Sequence, residues 1–161
     1  MLFPGARNAN SNDDLKKEPG GSNFIIAYQS TWGKIITDGD DNSGRRLLLT
    51  SCSNKKRAGD DRKAIELYDG PSFKIIRKHL DQSLDVLILS AKYGLIRADE
   101  NISWYDQRMS QSRALQLREG ATLTLKRDLR DEHYTSVMVN LGKVYLAAID
   151  WTSLDYDGEV V

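Results

Sequence analysis

The sequence predicts an α/β domain of three layers, with a mainly parallel central sheet flanked by helices. Arg46 to Ser51, Asp85 to Ser90 and Ser136 to Asn140 are short apolar runs without polar alternation, each ending in small polar residues. Such runs suit strands covered on both faces. The segments between them place apolar residues at helical spacing. Alternation of strand and helix implies right-handed crossovers, which gather the loops leaving the strands along one edge, where open α/β sheets bind ligands.

In chain order, residues 1–22 are rich in Asn, Ser, Gly, Pro and alternating charge, a composition too poor in apolar groups to order itself. They read as a flexible arm, leaving residues 23–161 as a single domain. Asn23 to Ser30 and Lys34 to Thr37 read as short strands about a turn at Trp32-Gly33, an edge hairpin. After the first parallel strand, Arg62 to Tyr68 reads as one short helix. Gly70-Pro71-Ser72 then gives a stop and a new start, with Phe73, Ile76, Leu80 and Leu84 lining one face of a second helix. A long loop is expected from Ser90 to Asp99. Ser110 to Arg130 carries Ala114, Leu117, Ala121, Leu125 and Leu129 on one helical face, with Ser110 or Ser112 as cap. A last helix is expected from Lys143 to Trp151.

The chain has 161 residues, the size of one domain, with 23 basic and 23 acidic side chains. This balance excludes both a disordered polyanion and a histone-like polycation. From Tyr145 onward there are four acids (Asp150, Asp155, Asp157, Glu159) and no base, so the rest carries an excess of positive charge that permits a polyanion partner. Cys52 is the single cysteine, and His79 and His133 lie far apart, so neither a disulfide nor a metal site is expected. No apolar run approaches the roughly 20 residues that span a bilayer, and residues 1–21 hold no leader-like stretch. A cytoplasmic location and no membrane partner are expected, and oligomeric state is left open.

Three loops carry the candidate chemistry. Thr50 to Lys56 (TSCSNKK) leaves a buried strand with hydroxyls, an amide and two ammonium groups, a donor set suited to an anion. It lacks the glycine spacing of a phosphate-binding P-loop, which argues against nucleoside triphosphate hydrolysis. Ser51, Ser53, Asn54, Lys55 and Lys56 are its candidates. Cys52 is a possible nucleophile, but with no histidine nearby in sequence to act as base, small buried filling is the preferred reading. Ser90 to Asp99 (SAKYGLIRAD), followed by Trp104-Tyr105-Asp106, contributes Ser90, Lys92, Tyr93, Asp99, Tyr105 and Asp106. Aromatic faces beside cations at a sheet edge are what an extruded base requires, but for the aromatics cover of the core, with Leu95 and Ile96, is the preferred reading, and the functional one is preferred for Lys92, Asp99 and Asp106. Asn140, at the end of the third strand, is placed to face the same crevice.

These segments together, LLLTSCSNKK, AIELYDGPSF, LILSAKYGLIRADENISWYD and MVNLGKVY, resemble a bacterial and phage domain family with a strand-TSCSxxK loop, an ELYxGxxF helix and a strand-SAKYGLxxxDxxIxxYD segment. The resemblance covers about Arg45 to Tyr145, and SAKYGL is its most specific part. That family is similar to the uracil-DNA-glycosylase-like domain of archaeosine synthase and, more distantly, to peroxide-stress DNA-binding proteins. The resemblance implies a uracil-DNA-glycosylase-like fold and a DNA glycosylase without cofactor, one that flips out and excises a bulky modified cytosine, such as glucosylated hydroxymethylcytosine of phage DNA, as an antiphage defence. The water-activating and histidine motifs of ordinary uracil-DNA glycosylases are missing. In this reading Asp99 or Asp106 stands beside the sugar. Asn54, Ser53, Ser90 or Lys92 donates to the base, and Lys55, Lys56 and Arg57 hold phosphates. The alternatives are a nonenzymatic DNA-binding stress protein, or a lyase or transferase acting on a modified tRNA base through the amine of Lys92 or Lys55.

Overall fold

The fold is taken from a computed structural model of the chain that describes residues 15–17, 25–27 and 44–156. Six strands form one mixed, mostly parallel sheet. They are β1 (Leu15–Lys17), β2 (Ile25–Ala27), β3 (Arg46–Ser51), β5 (Leu84–Ser90), β6 (Gly94–Arg97) and β8 (Ser136–Asn140), in the order β1-β2-β8-β3-β5-β6. β8, β3 and β5 are parallel, with Leu48 opposite both Val86 and Met138. β2 joins β8 in parallel, while β1 and β6 close the edges antiparallel. A separate two-stranded ladder pairs β4 (Arg62–Lys63) with β7 (Asn101–Ile102).

The three unbroken runs are strands because both of their faces are covered. Leu47, Leu49, Leu87, Leu89, Val137 and Val139 pack in one cluster with Ala114, Ala121, Leu125 and Leu129 of α3 (Gln111–Glu132) and with Ile149 and Trp151. Leu48, Val86, Ile88 and Met138 point the other way, against Ile65 and Leu67 of α1 (Ala64–Leu67) and Phe73 and Ile76 of α2 (Pro71–His79). The alternation follows from the two-residue period of a strand. Full burial of each such leucine contributes about 1.5–3 kcal/mol. The expected central residues Leu48, Leu87, Ile88, Val137 and Val139 are all buried. Ser110 caps α3, its side chain accepting from the Arg113 amide at 3.1 Å.

Several elements differ from the sequence-based expectation. Arg62 and Lys63 are extended, and α1 is a single turn. Its first amides bond to the hairpin turn across from it, Ala64 to the Glu100 carbonyl (2.8 Å) and Ile65 to that of Ala98 (2.9 Å). α2 ends at His79, so Leu80 and Leu84 do not continue its face. The Asp81 carboxylate accepts from the Ser83 amide (2.7 Å) and hydroxyl (2.6 Å), a turn that leaves Leu80 exposed and starts β5 at Leu84. The segment expected as a loop after Ser90 contains β6, turned back at Gly94 with φ +75°, a conformation suited to glycine. The final helix is only α4 (Lys143–Leu146), followed by a 3₁₀ turn at Trp151–Ser153. β1 falls within the segment expected as an arm, and β2 within the expected strand at Asn23 to Ser30. Its expected partner, Lys34 to Thr37, lies outside the described residues.

Candidate functional site

On the face shared with α1 and α2, the side chains turn polar as the parallel strands run toward their carboxyl ends. The row Leu48, Val86, Met138 is apolar; the next holds Thr50, Ile88 and Asn140; beyond it stand Cys52 and Ser90. Thr50, Ser90 and Asn140 are buried, and the Asn140 side-chain amide donates to the Thr50 hydroxyl at 3.4 Å. Buried polar groups need such partners.

Tyrosines close over this polar end. Tyr68, where α1 gives way to extended chain, and Tyr105, in the segment after β7, join hydroxyls at 2.7 Å, and Tyr105 also meets the Ser90 hydroxyl at 2.9 Å. Their rings lie edge to face at 6.4 Å, as do Tyr93 and Tyr105 at 5.5 Å. The Tyr93 hydroxyl donates to the Ser103 carbonyl at 3.2 Å. From α4, the Tyr145 hydroxyl reaches the Cys52 Sγ at 3.2 Å. Burial pushes the Tyr68, Tyr105 and Tyr145 phenols above their usual range, so they stay neutral and serve as hydrogen-bonding groups rather than bases.

Two lysines stand over these rings. The Lys56 Nζ lies 4.3 Å from the Tyr105 centroid and 5.9 Å from that of Tyr68; the Lys92 Nζ lies 5.0 Å from Tyr93 and 5.9 Å from Tyr105. Lys56 is aimed there by its backbone. Residues 55–57 run antiparallel beside 67–69, with Arg57 N bonded to the Leu67 carbonyl and Asp69 N to that of Lys55, both at 2.8 Å. In extended chain neighbouring side chains point opposite ways. Lys55 and Arg57 therefore turn to Asp69, at 4.0 and 3.2 Å, while Lys56 turns to the tyrosines. Burial opposes the Asp69 charge, but the hydrogen bond from Arg77 and the charge of Arg57 outweigh it and hold the carboxyl below its ordinary value.

The remaining sequence candidates are placed as follows. Ser51 accepts from the Gly142 amide at 3.0 Å, joining the ends of β3 and β8. Ser53 accepts from the Lys55 amide at 3.2 Å and packs against Gly70, where an added side chain would force it to shift. Asn54 is exposed, and no side-chain hydrogen bond among the described residues directs it toward the cluster. Asp106 is exposed next to Tyr105 and makes no ion pair or hydrogen bond among the described residues.

Asp99 is displaced from its expected position. β6 runs antiparallel to β5, from Gly94 opposite Ser90 to Arg97 opposite Leu87, and the Ala98 amide bonds to the Val86 carbonyl. At about 3.3 Å per residue this return carries Asp99 to the amino-terminal edge of the parallel strands. There its carboxylate is 75% exposed and 3.9 Å from Arg97. Tyr68 and Tyr145 enter the cluster without having been singled out, and Cys52, weighed as a nucleophile and read as buried filling, joins them through the Tyr145 hydroxyl. The ELY and KVY segments held the signal, but only tertiary packing brings them together.

These features define an α/β protein with a cluster of tyrosines and lysines at the carboxyl ends of its parallel strands, the usual ligand edge of such sheets. Residues 47–159, most of the chain and all of this cluster, match the family of unknown function DUF6884, and the protein belongs to that family. No curated protein and no solved structure matches the chain. Among the described residues no group of three His, Cys, Asp or Glu side chains is placed to hold a metal ion, and no helix is long and apolar enough to cross a membrane.

Proposed function

We propose that this protein is a DNA glycosylase of uracil-DNA-glycosylase-like fold that extrudes a modified base, a bulky modified cytosine of phage DNA, and cleaves its N-glycosidic bond in the cytoplasm. The observation that carries the reading is the convergence of Tyr68, Tyr93, Tyr105, Lys56 and Lys92 at one sheet edge. The resemblance of the SAKYGL and TSCSNKK segments supplies the reaction. An extruded base is held by stacking on aromatic faces and by donors at its edge. Neutral phenols suit the negative charge that collects on the departing base as the bond to the sugar breaks. A carboxylate is needed near the sugar, and with Asp99 at the other edge the role passes to Asp106, which adjoins Tyr105 and is unpaired among the described residues.

One observation favours a second reading, a nonenzymatic DNA-binding protein: among the described residues the cluster itself contains no carboxylate. Incubation with genomic DNAs carrying different modified cytosines, followed by mass spectrometry of released bases, separates the two. Base release that falls by about two to four powers of ten in Asp106→Asn and is unchanged in Asp99→Asn is the expected result. Tight binding with no release from any DNA would establish the binding protein instead.

A further inference from the structure

Lys56 and Lys92 differ from the basic side chains around them. Lys55, Arg57 and Arg77 share Asp69, the last at 2.8 Å, whereas neither Lys56 nor Lys92 meets a carboxylate among the described residues. Both ammonium groups nevertheless stand within 6 Å of one ring, that of Tyr105. Two like charges held about one ring repel, and the π cloud offsets only part of that repulsion. Their placement is favourable when an anion joins them.

The hydroxyls beneath the lysines are buried and joined to one another: Ser90 Oγ accepts from the Lys92 and Tyr93 amides at 3.3 and 3.1 Å and meets the Tyr105 hydroxyl at 2.9 Å, which meets that of Tyr68 at 2.7 Å. These bonds fix the Tyr105 ring, and with it the place about which both ammonium groups stand.

We infer that Lys56 and Lys92 form a seat for one phosphate group. Its oxygens accept from the two ammonium groups. The group is either a phosphomonoester of a free nucleotide or a phosphodiester of a strand. The seat involves no bond cleavage, so it is tested apart from base release.

Isothermal titration of the full chain at low salt, with inorganic phosphate, a nucleoside 5′-monophosphate and a single-stranded oligonucleotide lacking terminal phosphates, tests it. At least one probe should bind saturably, and Lys56→Gln and Lys92→Gln should each weaken it by about tenfold. Lys126→Gln, exposed on α3 across the sheet from both lysines, should change affinity by less than about twofold. Preference for the monophosphate identifies a phosphomonoester, and preference for the oligonucleotide identifies the backbone; either supports the seat. Binding of phosphate without base release from any DNA keeps the seat and removes the glycosylase reading. The seat is overturned if no probe binds saturably, or if Lys126→Gln weakens binding as much as Lys56→Gln.

Discussion

At the amino-terminal edge of the parallel strands the Tyr134 hydroxyl lies 2.8 Å from Asp85 and 3.0 Å from Asp128, while at the carboxyl-terminal edge the Tyr105 hydroxyl meets only other hydroxyls. Around Tyr134 every charged group has an opposite partner. Arg97 reaches Asp128 at 3.0 Å and Asp85 at 3.6 Å, and Arg45 bonds to Asp85 at 2.6 Å and to Glu132. Around Tyr105 two ammonium groups have no carboxylate among the described residues. Burial raises the phenol pKa at both edges, so burial alone does not separate them. Compensation does: a closed set of charges ties β3, β5, β6 and α3 together, and an open set leaves donors for something outside the chain.

Opening the closed set has the largest expected effect. Asp85→Ala leaves Arg45, Arg97 and Tyr134 short of an acceptor and should lower stability by about 3 kcal/mol, read by urea denaturation. Oligonucleotide affinity, measured where the variant is folded, should be unchanged. A loss below about 1 kcal/mol would mean that this edge is a set of exposed pairs rather than a clamp.

Removing one hydroxyl from the open set sharpens the contrast with a smaller structural effect. Tyr105→Phe keeps the ring under both lysines and should lower stability by only about 1 kcal/mol, while base release, or binding where no base is released, falls by about tenfold or more. Stability falling with function intact would make Tyr105 a core residue like Tyr134.

The parallel strands were legible because Leu47 to Leu49, Val86 to Leu89 and Val137 to Val139 are too continuous to leave one face in water. The polar step at Thr50, Ser90 and Asn140 was legible for the same reason, since it ends those runs. β6 was hidden inside a stretch whose turn residues, Lys92-Tyr93-Gly94, carry only one glycine as a signal. Missing β6 misplaced Asp99, because a loop from Ser90 would have kept it at the edge that a strand leaves. Lys55 and Lys56 are indistinguishable in sequence, and only the pairing of residues 55–57 with 67–69 assigns one to Asp69 and the other to Tyr105. Tyr68 and Tyr145 lie 77 residues apart in the chain and share a site only through packing.

The central claim, that ligands meet the carboxyl-terminal edge, is tested most directly by backbone amide chemical-shift mapping while a short DNA oligonucleotide is titrated into the labelled protein. Shifts at residues 52–56, 90–93 and 104–106, with residues 97–100 and 128–134 unmoved, are predicted. Shifts concentrated at residues 97–100 and 128–134, with the tyrosine cluster silent, would contradict the account.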